Sequence, residues 1–166
     1  MTEVEQLVTL YIYDLSQGMA KGLSQMFLGK QIDAIYHTSI IYMNKEWFYG
    51  GDGITYCEPG TTILGQPMQK KILGSTQITK ELFDDYVLMM SQDEFAGSKY
   101  RLFEHNCNNF SNALANFLVG EDIPSEITNL PGEVLATPFG MQIKNMLESM
   151  NISPMGQSNH SFGNSN

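Results

Sequence analysis

Apolar positions alternate or run together in the first half of the chain and recur at three- and four-residue spacing in the second. Leu7 to Tyr13, LVTLYIY, is a β-rich run closed by Asp14. Asp14 or Ser16 is placed to cap a helix from Met19 to Leu28, which Gly29 ends. Ile35 to Met43, IYHTSIIYM, is the clearest strand, with a turn at Asn44-Lys45 and a hairpin partner from Glu46 to Gly50. By alternation His37 shares a face with Ile35, Ser39, Ile41 and Met43, while Tyr36, Thr38, Ile40 and Tyr42 take the other. Neither face is clearly polar, so the strand is expected to be covered on both sides.

A short strand around Ile54 to Cys57 lies between Gly50-Gly51-Asp52-Gly53 and Glu58-Pro59-Gly60, glycines that suit tight turns or the close approach of a ligand to the backbone. Lys70 to Leu73 reads as a further strand, ended by Gly74-Ser75-Thr76. Thr79 caps a helix through about Met90, with Ile78, Leu82, Phe83, Tyr86 and Met89 or Met90 on its buried stripe. Tyr100 to Phe103 is a short extended segment. Prolines then separate short helical turns around Ile123 to Ile127 and Leu130 to Leu135, and Pro138 begins a last helix ending near Met150. From Asn151 the composition turns to Ser, Asn, Gly and Gln, which predicts a disordered tail over 151–166 behind one domain over 1–150.

The stretch YRLFEHNCNNFSNALANFLVG, from Tyr100 to Gly120, is the most informative. Phe110, Ala113, Leu114, Phe117 and Leu118 form a one-sided helical stripe that Gly120 terminates. Counting back from Phe110 and Leu114 puts Cys107 on the same inward stripe, one turn earlier. Asn106 or Asn108 can cap the helix start. The positive helix end there favours thiolate over thiol, which would lower the cysteine pKa, and the free N–H groups suit an oxyanion. A cysteine on an apolar face is also an ordinary small core residue, although the polar neighbours Glu104-His105-Asn106 and Asn108-Asn109 are unusual for that setting.

Composition narrows the choices. The chain has 166 residues and a formal net charge of −9, with nine Lys and Arg residues dispersed along it, so the basic stripe of a nucleic-acid binder is missing. No run approaches the ~20 apolar residues of a membrane span, and the N-terminus lacks a secretory pattern. A soluble protein of the cytoplasm or nucleus is expected, with Cys57 and Cys107 as free thiols. His105 and Cys107 lack the further ligands of a metal site, and no cofactor is implied.

A cysteine nucleophile needs a base that also returns the proton, and imidazole suits both tasks near neutral pH. Of the three histidines, His160 lies in the tail and His105 approaches the helix start, while His37 lies on a rigid strand. A lone strand histidine is more often an ordinary hydrogen-bonded structural residue.

The stretches LYIYDLSQGMAKGLSQMFLGKQ, IYHTSI, CEPGTTILGQP, LGSTQIT, LFEHNCNNFSNALANFL and IPSEITNLPGEVLATPFG cover most of Leu10 to Gly140. Through them the chain resembles the PPPDE superfamily of permuted papain-fold peptidases, and within it the desumoylating isopeptidases. The resemblance implies an α+β fold, a small antiparallel β-sheet or barrel packed against helices, with the nucleophile at a helix N-terminus. It implies a catalytic dyad of His37 and Cys107, with histidine preceding cysteine as circular permutation requires. It also implies removal of SUMO from lysine side chains through a thioester, SUMO conjugates as partners, and a homodimer. Deubiquitination or removal of palmitoyl groups would use the same dyad, and a non-catalytic binding module is the rival of a different class.

Two positions depart from the papain pattern. The hairpin partner offers Glu46, Trp47, Phe48 and Tyr49 where an Asn or Asp would orient the histidine, and Arg101 stands six residues before Cys107 where papain-like enzymes place a Gln. The oxyanion hole would then rest on the Cys107 N–H and a second donor, with Asn106 and Asn108 as candidates. A slim modifier terminus would need a narrow channel, for which Gly50 to Gly53 with Trp47 and Tyr49 are candidate walls, although Trp47 is at least as readily a simple core residue.

Overall fold

In a computed structural model of the chain, residues 4–149 are described. Its centre is an open antiparallel sheet of five strands, β1 (Gln6–Asp14), β2 (Tyr36–Tyr42), β3 (Lys45–Gly50), β4 (Gly53–Cys57) and β5 (Gln69–Thr76), in the order β4-β3-β2-β1-β5. The fold is α+β as expected, and the sheet does not close into a barrel. A two-residue turn joins β2 to β3, with Met43 and Asn44 both at positive φ, as a tight hairpin requires. A register shift between Val8 and Thr9 lets β5 run on through Gly74 to Thr76, beyond the end read from the sequence.

Both faces of β2 are covered. Leu10, Ile12, Ile40, Tyr42, Trp47 and Tyr49 belong to the main core. On this side lie α2 (Lys80–Gln92) and α3 (Cys107–Val119), the latter packed on β1, β2, β3 and β5. On the opposite face, Tyr13, His37, Ser39, Glu46 and Phe48 are buried, and the 58–66 loop reaches them through a Gly60 N–H bond to Glu46 Oε1 (2.9 Å). Thr79 caps α2 through the Leu82 amide.

The buried stripe of α2 is rotated from the expected one. It consists of Phe83, Val87 and Met90, while Leu82 and Met89 are exposed. Both settings fit the helical period. Phe83 decides between them by packing on the rings of Tyr42 (4.3 Å) and Trp47 (4.9 Å).

The remaining helices are α1 (Met19–Leu28), α4 (Ser125–Thr128), α5 (Leu130–Leu135) and α6 (Pro138–Ser149). Asp14 shapes the approach to α1 by accepting from the Ser16 and Gly18 amides, while Ser16 Oγ accepts from Ala20 N. Gly29, at φ 68°, ends α1. The turn around Gly50 to Gly53 meets the chain itself, since a Cβ on Gly97 would stand 2.6 Å from Gly51 O. These glycines therefore serve backbone packing, and Trp47 and Tyr49 are core residues, not channel walls. The expected tail over 151–166 lies outside the described residues.

Candidate active site

Cys107 is the first residue of α3, and the local sequence explains why the helix begins there. Asn106 takes an extended conformation and accepts from the amides of Asn108 (2.9 Å) and Asn109 (3.4 Å). Asn109 Oδ1 in return accepts from the Asn106 amide (2.8 Å), so the two asparagines form a capping box. The cap satisfies the amides that the first helical turn leaves unpaired. It also fixes Cys107 at the end of the helix that meets β2.

Two hydrogen bonds join this helix start to β2: Thr38 Oγ1 donates to Asn108 Oδ1 (2.8 Å), and Asn108 Nδ2 donates to the Tyr36 carbonyl (3.0 Å). The Cys107 thiol itself donates weakly to Asn108 Oδ1 at 3.7 Å. Asn106 Nδ2 is engaged with the Leu102 carbonyl (2.8 Å). Each asparagine amide thus has one of its two N–H donors committed to holding backbone, which leaves one N–H apiece for the expected second oxyanion donor.

The electrostatics of the resting site also differ from expectation. Burial pushes the Cys107 pKa up to about 12, outweighing the amides of Thr38, Asn108 and Cys107 that favour thiolate. Helix-end stabilisation of a charge, typically 0.3–1 kcal/mol and roughly 2 at most, is smaller than the cost of losing water around a sulfur anion. Burial likewise pushes the His37 pKa down to about 3. At neutral pH the resting pair is therefore thiol and neutral imidazole.

His37 stands one residue from Thr38, whose hydroxyl holds Asn108 at the helix start, but its side chain follows the strand's other face. Its ring lies between Tyr13 (5.7 Å between centroids) and Phe48 (6.4 Å). Neither ring nitrogen has a hydrogen-bond partner among the described residues, so no hydrogen bond joins the imidazole to the thiol in this structure. The same face carries the Glu46 carboxyl, which accepts from Tyr13 Oη (2.6 Å) and Ser39 Oγ (2.7 Å). His105 is held elsewhere, stacked on Phe95 (4.6 Å) with Nε2 on the Glu94 carbonyl (2.7 Å).

Cys107 opens onto a cavity of about 750 Å³. Its walls are largely apolar, with Leu15, Leu23, Phe27, Ile32 and Ile35 on the α1 side and Leu130, Val134 and Phe139 from α5 and α6. Tyr36, Tyr100, Asn106 and Asn108 complete it near the thiol. Sequence periodicity gave no sign of this groove, because its walls come from helices separated by about a hundred residues. A buried thiol at a capped helix start, open to a groove, suits nucleophilic acyl transfer.

Comparison with known proteins agrees with that chemistry. A family model described as the PPPDE putative peptidase domain matches residues 6–148. The chain is 50% identical to desumoylating isopeptidase 1 of Xenopus laevis over 93% of this chain and 91% of the relative. It is 50% identical to the protein of that name from Homo sapiens, over 91% and 90% respectively. DeSI-like protein sdu1 of Schizosaccharomyces pombe is 31% identical over 79% and 67%. A match over nearly the whole folded chain, joined to an α+β fold with a cysteine at a helix N-terminus, shows that this chain belongs to the PPPDE peptidase family.

Proposed function

We propose that the chain is a cysteine isopeptidase that removes SUMO from lysine side chains of target proteins. The observation that carries the reading is Cys107 on the first turn of α3, open to the groove, with the helix start tied through Asn108 to Thr38, the residue after His37. The names of the 50% identical relatives supply the substrate class.

In the proposed reaction His37 takes the Cys107 proton and Sγ attacks the C-terminal glycyl carbonyl of the modifier. The carbonyl π electrons move to oxygen and then return as the lysine amine leaves with the proton from imidazolium. Water, activated by the neutral imidazole, hydrolyses the thioester and frees the thiol. The resting structure holds both partners neutral and unbonded, so proton transfer requires the His37 ring to turn toward Sγ when substrate enters. Catalytic hydrogen bonds are often long or unformed without substrate.

The apolar groove favours a second reading, hydrolysis of a fatty acyl thioester, because its lining suits an alkyl chain better than a diglycine. Exposed Met19, Met26, Phe27, Phe139 and Met141 around α1 and α6 are consistent with the proposed homodimer. The deciding experiment compares hydrolysis of a SUMO-lysine isopeptide, its ubiquitin counterpart and a palmitoyl thioester by wild type and Cys107→Ser. Cleavage of the SUMO conjugate that disappears in the variant supports the reading. Turnover of the acyl thioester alone moves the assignment to a thioesterase, ubiquitin cleavage alone to a deubiquitinase, and a cellular effect retained by Cys107→Ser to a binding module.

A further inference from the structure

Tyr100 lies at the thiol end of the groove, seven residues before Cys107 in sequence. Its ring is locked by Tyr49, whose centroid is 5.4 Å away, and Tyr49 is itself anchored by donation to the Ala96 carbonyl (2.7 Å). Next to it the chain reverses through reciprocal backbone bonds between Arg101 and His105, which bring Tyr100 back beside the start of α3. The side chain is only 6% exposed, and its hydroxyl has no hydrogen-bond partner among the described residues. A phenol buried without a partner costs stability, so its retention here asks for a partner that arrives with substrate.

We propose that Tyr100 is a catalytic residue, donating its phenolic O–H to the oxyanion formed when Cys107 attacks, as the second donor beside the Cys107 amide. This rests on the acyl-transfer reading of Cys107. Burial, and then the negative charge of Cys107 as thiolate, hold the phenol pKa well above its ordinary value, so the group stays protonated and can donate throughout turnover. The electrons of the attacked carbonyl collect on oxygen, accept the two hydrogen bonds and return on collapse, and Tyr100 keeps its proton. The donor is absent from the resting hydrogen bonds because the atom it serves exists only in the tetrahedral intermediate.

Tyr100→Phe is the test, since it removes one oxygen that has no partner among the described residues and keeps the ring packed on Tyr49. The variant should melt at or above the wild-type temperature. On a SUMO-lysine isopeptide its kcat should fall about 100-fold with KM within about twofold. Affinity for a peptide ending in glycinal, whose hemithioacetal with Cys107 presents the same oxyanion, should fall by a similar factor. Wild-type kcat and unchanged glycinal affinity in Tyr100→Phe would overturn the assignment. If wild type leaves the isopeptide intact but hydrolyses a small acyl thioester through Cys107, the substrate class fails and the same comparison on the thioester decides Tyr100. Hydrolysis of neither overturns both.

Discussion

At the scale of single residues the site is defined by what burial does to two titratable groups. Cys107 and His37 are each held in the neutral form, with opposite pKa shifts of the same cause. In the proposed reaction the base therefore acts in concert with attack. His37→Ala should retain a folded chain and lose about 100- to 10,000-fold in turnover of the isopeptide; a variant as active as wild type would exclude the imidazole as base. Glu46 is the other informative residue on that face. Glu46→Ala would strand the Tyr13 and Ser39 hydroxyls and the Gly60 amide. Urea unfolding of this variant should show a loss of about 3 kcal/mol, because buried polar groups left without acceptors each cost roughly 1–3. The position of Cys107 at the inward start of α3 was legible in its helical register. The position of Tyr100 in the same groove was not, because it depends on a chain reversal at Arg101 to His105 that leaves no periodic mark.

At the scale of elements, α3 and β2 act together, and the join between them is polar on purpose of geometry: Thr38, Asn108 and Tyr36 hold the helix start against the strand. Asn106→Ala removes an acceptor for two amides and should lower stability by about 1 kcal/mol in thermal melts. It should lower turnover by more than the unfolded fraction explains, since the cap also sets the direction of the Cys107 amide. Gly97→Ala should destabilise the link between the β3–β4 turn and the segment before α3, as its methyl would strike Gly51 O. The strands and helices themselves were readable from alternation, helical spacing and the glycines that end α1 and α3. The rotation of α2 was not, because Leu82 and Met89 suit a buried stripe as well as Val87 does until Phe83 meets Tyr42 and Trp47.

At the scale of the whole molecule, burial of a neutral imidazole and a neutral thiol links the fold to pH. The folded state binds the His37 proton less well than the unfolded chain, so stability falls as pH drops below 6.5 toward 3. The folded state holds the Cys107 proton more tightly, so stability also falls as pH rises above 9. Each group contributes a slope of about 1.4 kcal/mol per pH unit within its window. Denaturant titrations between pH 7 and 5 should show the acid slope in wild type and lose that increment in His37→Ala; equal slopes would mean the imidazole is not buried neutral. The groove belongs to this scale too, since only the packed molecule brings α1, α5 and α6 around Cys107. The most direct test treats the full chain with SUMO bearing a C-terminal electrophile and maps the adduct by mass spectrometry. One SUMO per chain is expected, on Cys107, strongly reduced in His37→Ala. An adduct on Cys57, or labelling of Cys107 that is indifferent to His37, would contradict that expectation.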